Sequence, residues 1–175
     1  DALIPPVIWE RCTDKDWDGV DPKRGKREVM VGGLDLGAVY DSCACIWRGY
    51  DPETKRLPLM ALKVWSPKDY RTEITGYILN EVKEHILDMH RKYKVVAVYY
   101  DASQALYMVN ELIKAGVKMV EVKQVKGREA TDTMYRQAIY DQRLRNYPYA
   151  GELKEHVLAA VAKTMTDDTI RIRKD

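Results

Sequence analysis

The spacing of hydrophobic and polar positions changes several times along the chain, and each change marks an element. From Val29 the run VMVGGLDLG is short, apolar and closed by Gly-Asp punctuation. Over residues 42–50, Cys43, Cys45 and Trp47 alternate with Ala44, Ile46 and Arg48. Both stretches read as strands, joined by a tight turn near Tyr40-Asp41. Asp51-Pro52-Glu53 is a turn signal, and LPLMALKVW at 57–65 reads as a third strand. The period then switches. Ile74, Ile78, Val82, Ile86 and Met89 recur at three to four residues, which predicts a long amphipathic helix over 72–93.

Residues 95–100 (VVAVYY) form a continuous β-branched and aromatic run, the signature of a strand buried on both faces of a mixed sheet, and it stops at Asp101. Ser103 is placed as the N-cap of a helix carrying Leu106, Val109, Leu112 and Ile113, with Gly116 where a C-cap glycine belongs. Residues 117–122 (VKMVEV) make a fifth short strand. Residues 129–145 and 152–164 are helical by period, and the alternating TIRIR at 169–173 predicts a last strand. The fold class is therefore α/β, with a mixed central sheet of about five strands, three antiparallel and then two more, flanked by helices.

Residues 1–28, with Pro5, Pro6, Trp9, Trp17 and the mixed-charge DPKRGKRE, sustain neither period and read as a linker or packed-on arm; residues 29–175 form the domain proper. A chain of 175 residues that is 46% hydrophobic is long enough to bury one sizeable core. It opens at Asp1 with Ala-Leu-Ile-Pro-Pro, as expected of a piece of a longer polypeptide. The 29 basic and 27 acidic side chains leave a net charge of +2, so any nucleic-acid surface must be local. Cys12, Cys43 and Cys45 are an odd set without CxxC spacing, which suits structural thiols in a reducing cytoplasm. No apolar run approaches the ~20 residues that span a bilayer, and the amino terminus does not carry a basic-then-apolar signal pattern. The reading is of a protein that is neither secreted nor membrane-bound.

Two aspartates stand apart because each ends a strand expected to be central: Asp35 in GLDLG, and Asp101 in VYYD. Open sheets place ligands at strand ends. If the two strands are neighbours, the carboxylates meet at one sheet edge and repel each other unless a cation lies between them. Hard oxygen ligands select magnesium or manganese. Two such ions about 3.5–4 Å apart can activate a water and stabilise the leaving oxygen of a phosphodiester. Gly33 and Gly37 would let a phosphate backbone approach. The competing reading of each aspartate alone is a turn residue or helix cap. Asp41, six residues after Asp35, lies near the same edge or simply forms the turn.

These segments bear a resemblance. GLDLGAVYDSCACIW, then VVAVYYDASQALYMVNELIKAGV, then VEVKQ and a helix ending near Leu144, resemble the nuclease domain of tailed-bacteriophage terminase large subunits. The opening IPPVIWERC is similar to the segment that joins the ATPase part of those proteins to the nuclease. The resemblance implies a ribonuclease H-like fold, Mg2+ or Mn2+ in a two-metal site, and endonuclease cutting of concatemeric viral double-stranded DNA during packaging, in the cytoplasm of the infected bacterium. It implies as partners, in the parent protein, an ATPase domain, the portal and the small terminase subunit. Asp35 and Asp101 match the first and second catalytic, metal-binding carboxylates. The third opens a helix after a hairpin in such proteins; TDDTIRIRKD resembles that hairpin, so the third ligand is expected beyond Asp175, with Asp168 as the fallback, and the isolated chain is expected to be weakly active.

A P-loop is absent: Gly19 and Gly25-Lys26-Arg27 lack the GxxxxGK[ST] spacing, so no ATP site is expected in this chain. For DNA the best basic clusters are Lys123, Lys126 and Arg128, and Arg171, Arg173 and Lys174, each of which also reads as a solvated loop. No base-reading motif is found, so weak sequence preference and strong salt dependence are expected. His85, His90 and His156 fall within helices and read as face or core residues. Three competing functions stay open: another ribonuclease H-like nuclease of resolvase or transposase type, a sugar-kinase or actin-like ATP-binding fold, and a non-catalytic DNA-binding or assembly module with an incomplete metal site.

Overall fold

The computed structural model describes residues 3–37, 42–66, 77–101, 106–123, 128–164 and 170–174. In chain order these hold α1 (Pro6–Glu10), a 3-10 turn (Pro22–Arg27), β1 (Val29–Asp35), β2 (Cys43–Arg48), β3 (Leu57–Trp65), α2 (Tyr77–Lys92), β4 (Lys94–Tyr100), α3 (Leu106–Lys114), β5 (Met119–Glu121), α4 (Arg128–Tyr140), β6 (Leu144–Arg145), α5 (Gly151–Leu158), β7 (Ala160–Thr164) and β8 (Ile170–Lys174). They divide into two compact units. One comprises residues 20–50 and 59–123; the other comprises 1–19, 51–58 and 124–175.

The first unit is a sheet in the order β5-β4-β1-β2-β3. The strands β1, β2 and β3 form an antiparallel meander, and β4 and β5 run parallel to β1. This is the mixed sheet that the sequence predicts. Cys43, Cys45 and Trp47 alternate into the core from β2, as their period-2 spacing requires. Ile78, Val82, Ile86 and Met89 form the buried stripe of α2. Trp47 and Trp65 pack edge-on against His85, with ring centroids 5.9 and 5.5 Å away. Trp47 Nε1 donates a 2.9 Å hydrogen bond to His85 Nε2. Gly32, opposite Trp47 in the ladder, admits that ring: a Cβ there would stand 2.8 Å from the indole. Helices α2 and α3 are tied by Lys83 to Glu111 at 2.8 Å, and Tyr107 donates to the same carboxylate at 2.9 Å. Gly116 closes α3 at φ +91, with the Val117 N–H donating to the Leu112 carbonyl, the C-cap that its position predicts.

The second unit gathers Leu3, Ile4, Trp9, Cys12, Ile139, Leu144 and Val157 into one core cluster. Residues of the amino-terminal stretch are thus part of a packed core. Asp14 also pairs with Arg145 at 2.7 Å, and Arg145 lies over the Trp17 ring. Two helix expectations need correction. The predicted helix over 129–145 ends at Tyr140, because Gln142 turns to φ +55 and Leu144-Arg145 pair with Leu57-Pro58 as β6. The predicted helix over 152–164 ends at Leu158, and Ala160–Thr164 becomes a strand paired antiparallel with β8. A lone strand leaves its backbone groups unpaired, and the alternating segment at 170–174 takes the preceding chain as its partner. Periodicity had no means of registering that demand.

Candidate active site

The site is built by the parallel pairing of β1 with β4. Leu34 is the register partner of Tyr100, so the next residues along, Asp35 and Asp101, leave adjacent strands at the same end. Neighbouring strands lie about 4.8 Å apart, which brings the two carboxylate-bearing positions side by side. Asp35 is exposed and Asp101 half-buried, so both are open to a ligand arriving from solvent. On the far side of Asp101 the ladder continues into β5, where the Val122 N–H donates to the Tyr100 carbonyl at 2.7 Å.

The sulfur chemistry beside the pair is silenced. Cys43 is wholly buried. Burial pushes its thiol up from the ordinary value; the Gly37 backbone N–H pulls the other way, and the Asp35 carboxylate pushes it further up. Cys45, deeper in the same strand, is pushed up to about 12 by burial. Both thiols stay protonated at neutral pH, and the accessible donors at this edge are carboxylate oxygens. That set suits a hard divalent cation such as magnesium, which is commonly held by one or two carboxylates together with waters and phosphate. Among the described residues no three His, Cys, Asp or Glu side chains converge on one point.

The sequence did not single out Glu121, which ends β5 as the register partner of Tyr100 and so stands near the same edge. Only the pairing of β5 with β4 reveals it. Gly33, expected to admit a phosphate, has a packing reason as well, since a Cβ there would meet Ile46 Cγ2 at 3.1 Å. Asp41, Asp168 and Lys126 lie outside the described residues, as does the turn expected at Tyr40-Asp41. Arg128 opens α4, and Lys123 is exposed just after β5. His85 and His90 fall on α2 and His156 on α5, as predicted. All three cysteines are buried thiols, and none of them forms a disulfide among the described residues.

No family model matches this sequence, and no curated protein does. Solved structures do. Over 98% of its length the chain superposes on the large terminase of bacteriophage HK97, with a TM-score of 0.72 at 15% identity. Over 90% it superposes on the large terminase nuclease of thermophilic phage G20c, with a TM-score of 0.61 at 12% identity, covering 76% of that domain. The fold is that of a phage large-terminase nuclease. The chain spans 39% of the length of the HK97 terminase. The G20c nuclease has also been solved with bound magnesium, and that structure matches with a TM-score of 0.61 at 11% identity. The ribonuclease H-like topology that the resemblance implies is therefore the observed one. Among the described residues, no helix of this terminase-like nuclease fold is long and apolar enough to cross a membrane.

Proposed function

We propose that this chain is the nuclease domain of a phage large terminase, a metal-dependent endonuclease that cuts concatemeric double-stranded DNA during genome packaging in the infected host. One observation carries the reading: adjacent parallel strands end side by side in Asp35 and Asp101, on a fold shared with terminase nucleases. In this reading the two carboxylates hold Mg2+ or Mn2+, and their exposure leaves room for a phosphodiester on the open side. Bound there, such ions would supply an activated water and charge stabilisation at the leaving oxygen. The protein's own part is to fix the two carboxylates at the ends of a rigid ladder and to keep the neighbouring thiols protonated, so that no soft ligand competes. Asp168 and Asp41 are kept as candidates for a further carboxylate, and Lys126 and Arg128 for DNA contact. The ATPase domain, portal and small subunit are the partners proposed for the parent protein.

The test is nicking of supercoiled plasmid by the wild-type chain with manganese, magnesium or chelator. Metal-dependent cutting, lost in Asp35→Asn and in Asp101→Asn, is the expected result. A second reading, a non-catalytic DNA-binding module, is favoured by the lack of a third convergent ligand among the described residues. Retained DNA binding without cutting under any metal would establish it instead.

A further inference from the structure

In the sheet-bearing unit β5 is an outermost strand, paired with β4 alone. The Val98 N–H donates to the Lys118 carbonyl at 2.8 Å, and the Val122 N–H to the Tyr100 carbonyl at 2.7 Å. Backbone groups alternate in direction along a strand, so Met119 and Glu121 turn their N–H and C=O groups outward, where no strand among the described residues takes them. The helix above this border is apolar on the matching flank. Glu111 of α3 meets Lys83 of α2, and at about 3.6 residues per turn Leu106 and Ile113 lie on the flank of α3 away from that contact, on the side of β5. They are 73% and 52% exposed, while Met108, Val109 and Leu112 of the same helix are buried.

We infer that this border is a docking site for an extended segment of another protein, of alternating apolar and acidic residues, which adds as a strand beside β5. The proposal stands independently of the nuclease reading. Register gives the pattern. Met119 is the partner of Val98, which pairs with Gly32 and so lies on the face of Trp47 and α2. Residues of an added strand that point to this helix-covered face meet Met119, Ile113 and Leu106, and must be apolar to bury them. Those that point the other way lie beside Lys118, Val120 and Val122, where Lys118 is exposed, and the exposed Lys123 follows. Two lysines against the single carboxylate of Glu121 leave an excess of positive charge, which acidic residues complement. A second copy of this chain would bring the same excess and is the poorer fit. A phosphate backbone has neither N–H groups for the outward carbonyls nor an apolar side for α3, which favours a peptide over nucleic acid.

The experiment is an amide NMR titration of the whole chain with three capped hexapeptides: alternating valine and glutamate, alternating valine and lysine, and glutamate alone. The valine/glutamate peptide is expected to bind tightest, to shift the Met119 and Glu121 amides most and to slow their exchange with solvent. Met119→Pro removes one outward N–H and spares the bonds to β4, since proline is tolerated on the solvent side of an edge strand, and it should abolish the response at Glu121. Should that variant not fold, Lys118→Glu carries the test: it should weaken binding of the valine/glutamate peptide by about two- to fivefold and strengthen that of the valine/lysine one. No response to any peptide, equal binding of all three, unchanged binding by a folded Met119→Pro chain, or shifts that avoid β5 would each overturn the proposal. So would a short DNA duplex that shifts the two amides where no peptide does, or shifts there that grow with protein concentration alone, which would assign the border to nucleic acid or to a second copy.

Discussion

At the scale of single residues, the core of the sheet-bearing unit depends on two unusual neighbours of Trp47. Gly32 gives the indole its space: the nearest ring atom would be 2.8 Å from an added Cβ, and the ring has no room to retreat with His85 against it. Gly32→Ala is expected to destabilise the fold by about 1–3 kcal/mol, as other overpacked cores do, measured by urea unfolding. His85 is held neutral by burial first and by the positive charge of Lys63 second, which bring it down from 6.5 to about 4. Between those values the unfolded chain takes up a proton that the folded chain refuses. Stability from this group is therefore complete above about pH 6.5, falls as the pH drops towards about 4, and levels off below. His85→Gln keeps an acceptor for Trp47 and removes the titration. The difference in thermal midpoint between wild type and this variant should depend on pH within that window and be flat outside it; a constant difference would contradict the assignment.

At the scale of elements, strands and helices with a clean period were legible and those that depend on a distant partner were not. The spacing of Ile78, Val82, Ile86 and Met89 is a property of the chain, and α2 follows it. So does the alternation of Cys43, Cys45 and Trp47 in β2. β4 forms where its apolar run predicts a strand, but the expectation of burial on both faces is corrected: Ala97 and Val98 are buried while Val96 and Tyr99 are exposed. By contrast, β6 exists because Leu144 and Arg145 meet Leu57 and Pro58 more than 80 residues away. No local pattern encodes that pairing. The end of α2 gives a further example. Lys26 donates to the carbonyls of His90 and, at 2.9 Å, of Tyr93, placing a cation from the 3-10 turn on the carboxyl end of the helix. Lys26→Met should lower stability by about 0.3–1 kcal/mol through the lost cap and helix-dipole contact, with faster hydrogen exchange in the last turn of α2.

At the scale of the whole molecule, each acidic motif was visible in the sequence as a strand end, but what makes a site of them is topology. Asp35 and Asp101 are 66 residues apart in sequence and become neighbours only because β4 inserts beside β1 in parallel, next to the antiparallel meander. The same topology adds Glu121 to the neighbourhood and gives the chain its likeness to terminase nucleases at 11–15% identity, a level at which fold outlasts sequence. The proposed activity requires that Asp35 and Asp101 together make a single hard-cation site. Titration of the wild-type chain with Mn2+, followed by electron paramagnetic resonance, tests it without requiring that the chain cut DNA. Asp35→Asn and Asp101→Asn should each weaken binding strongly, and the double variant should be little worse than either, because residues acting as one unit are not additive. Undiminished Mn2+ binding in either single variant would contradict the claim.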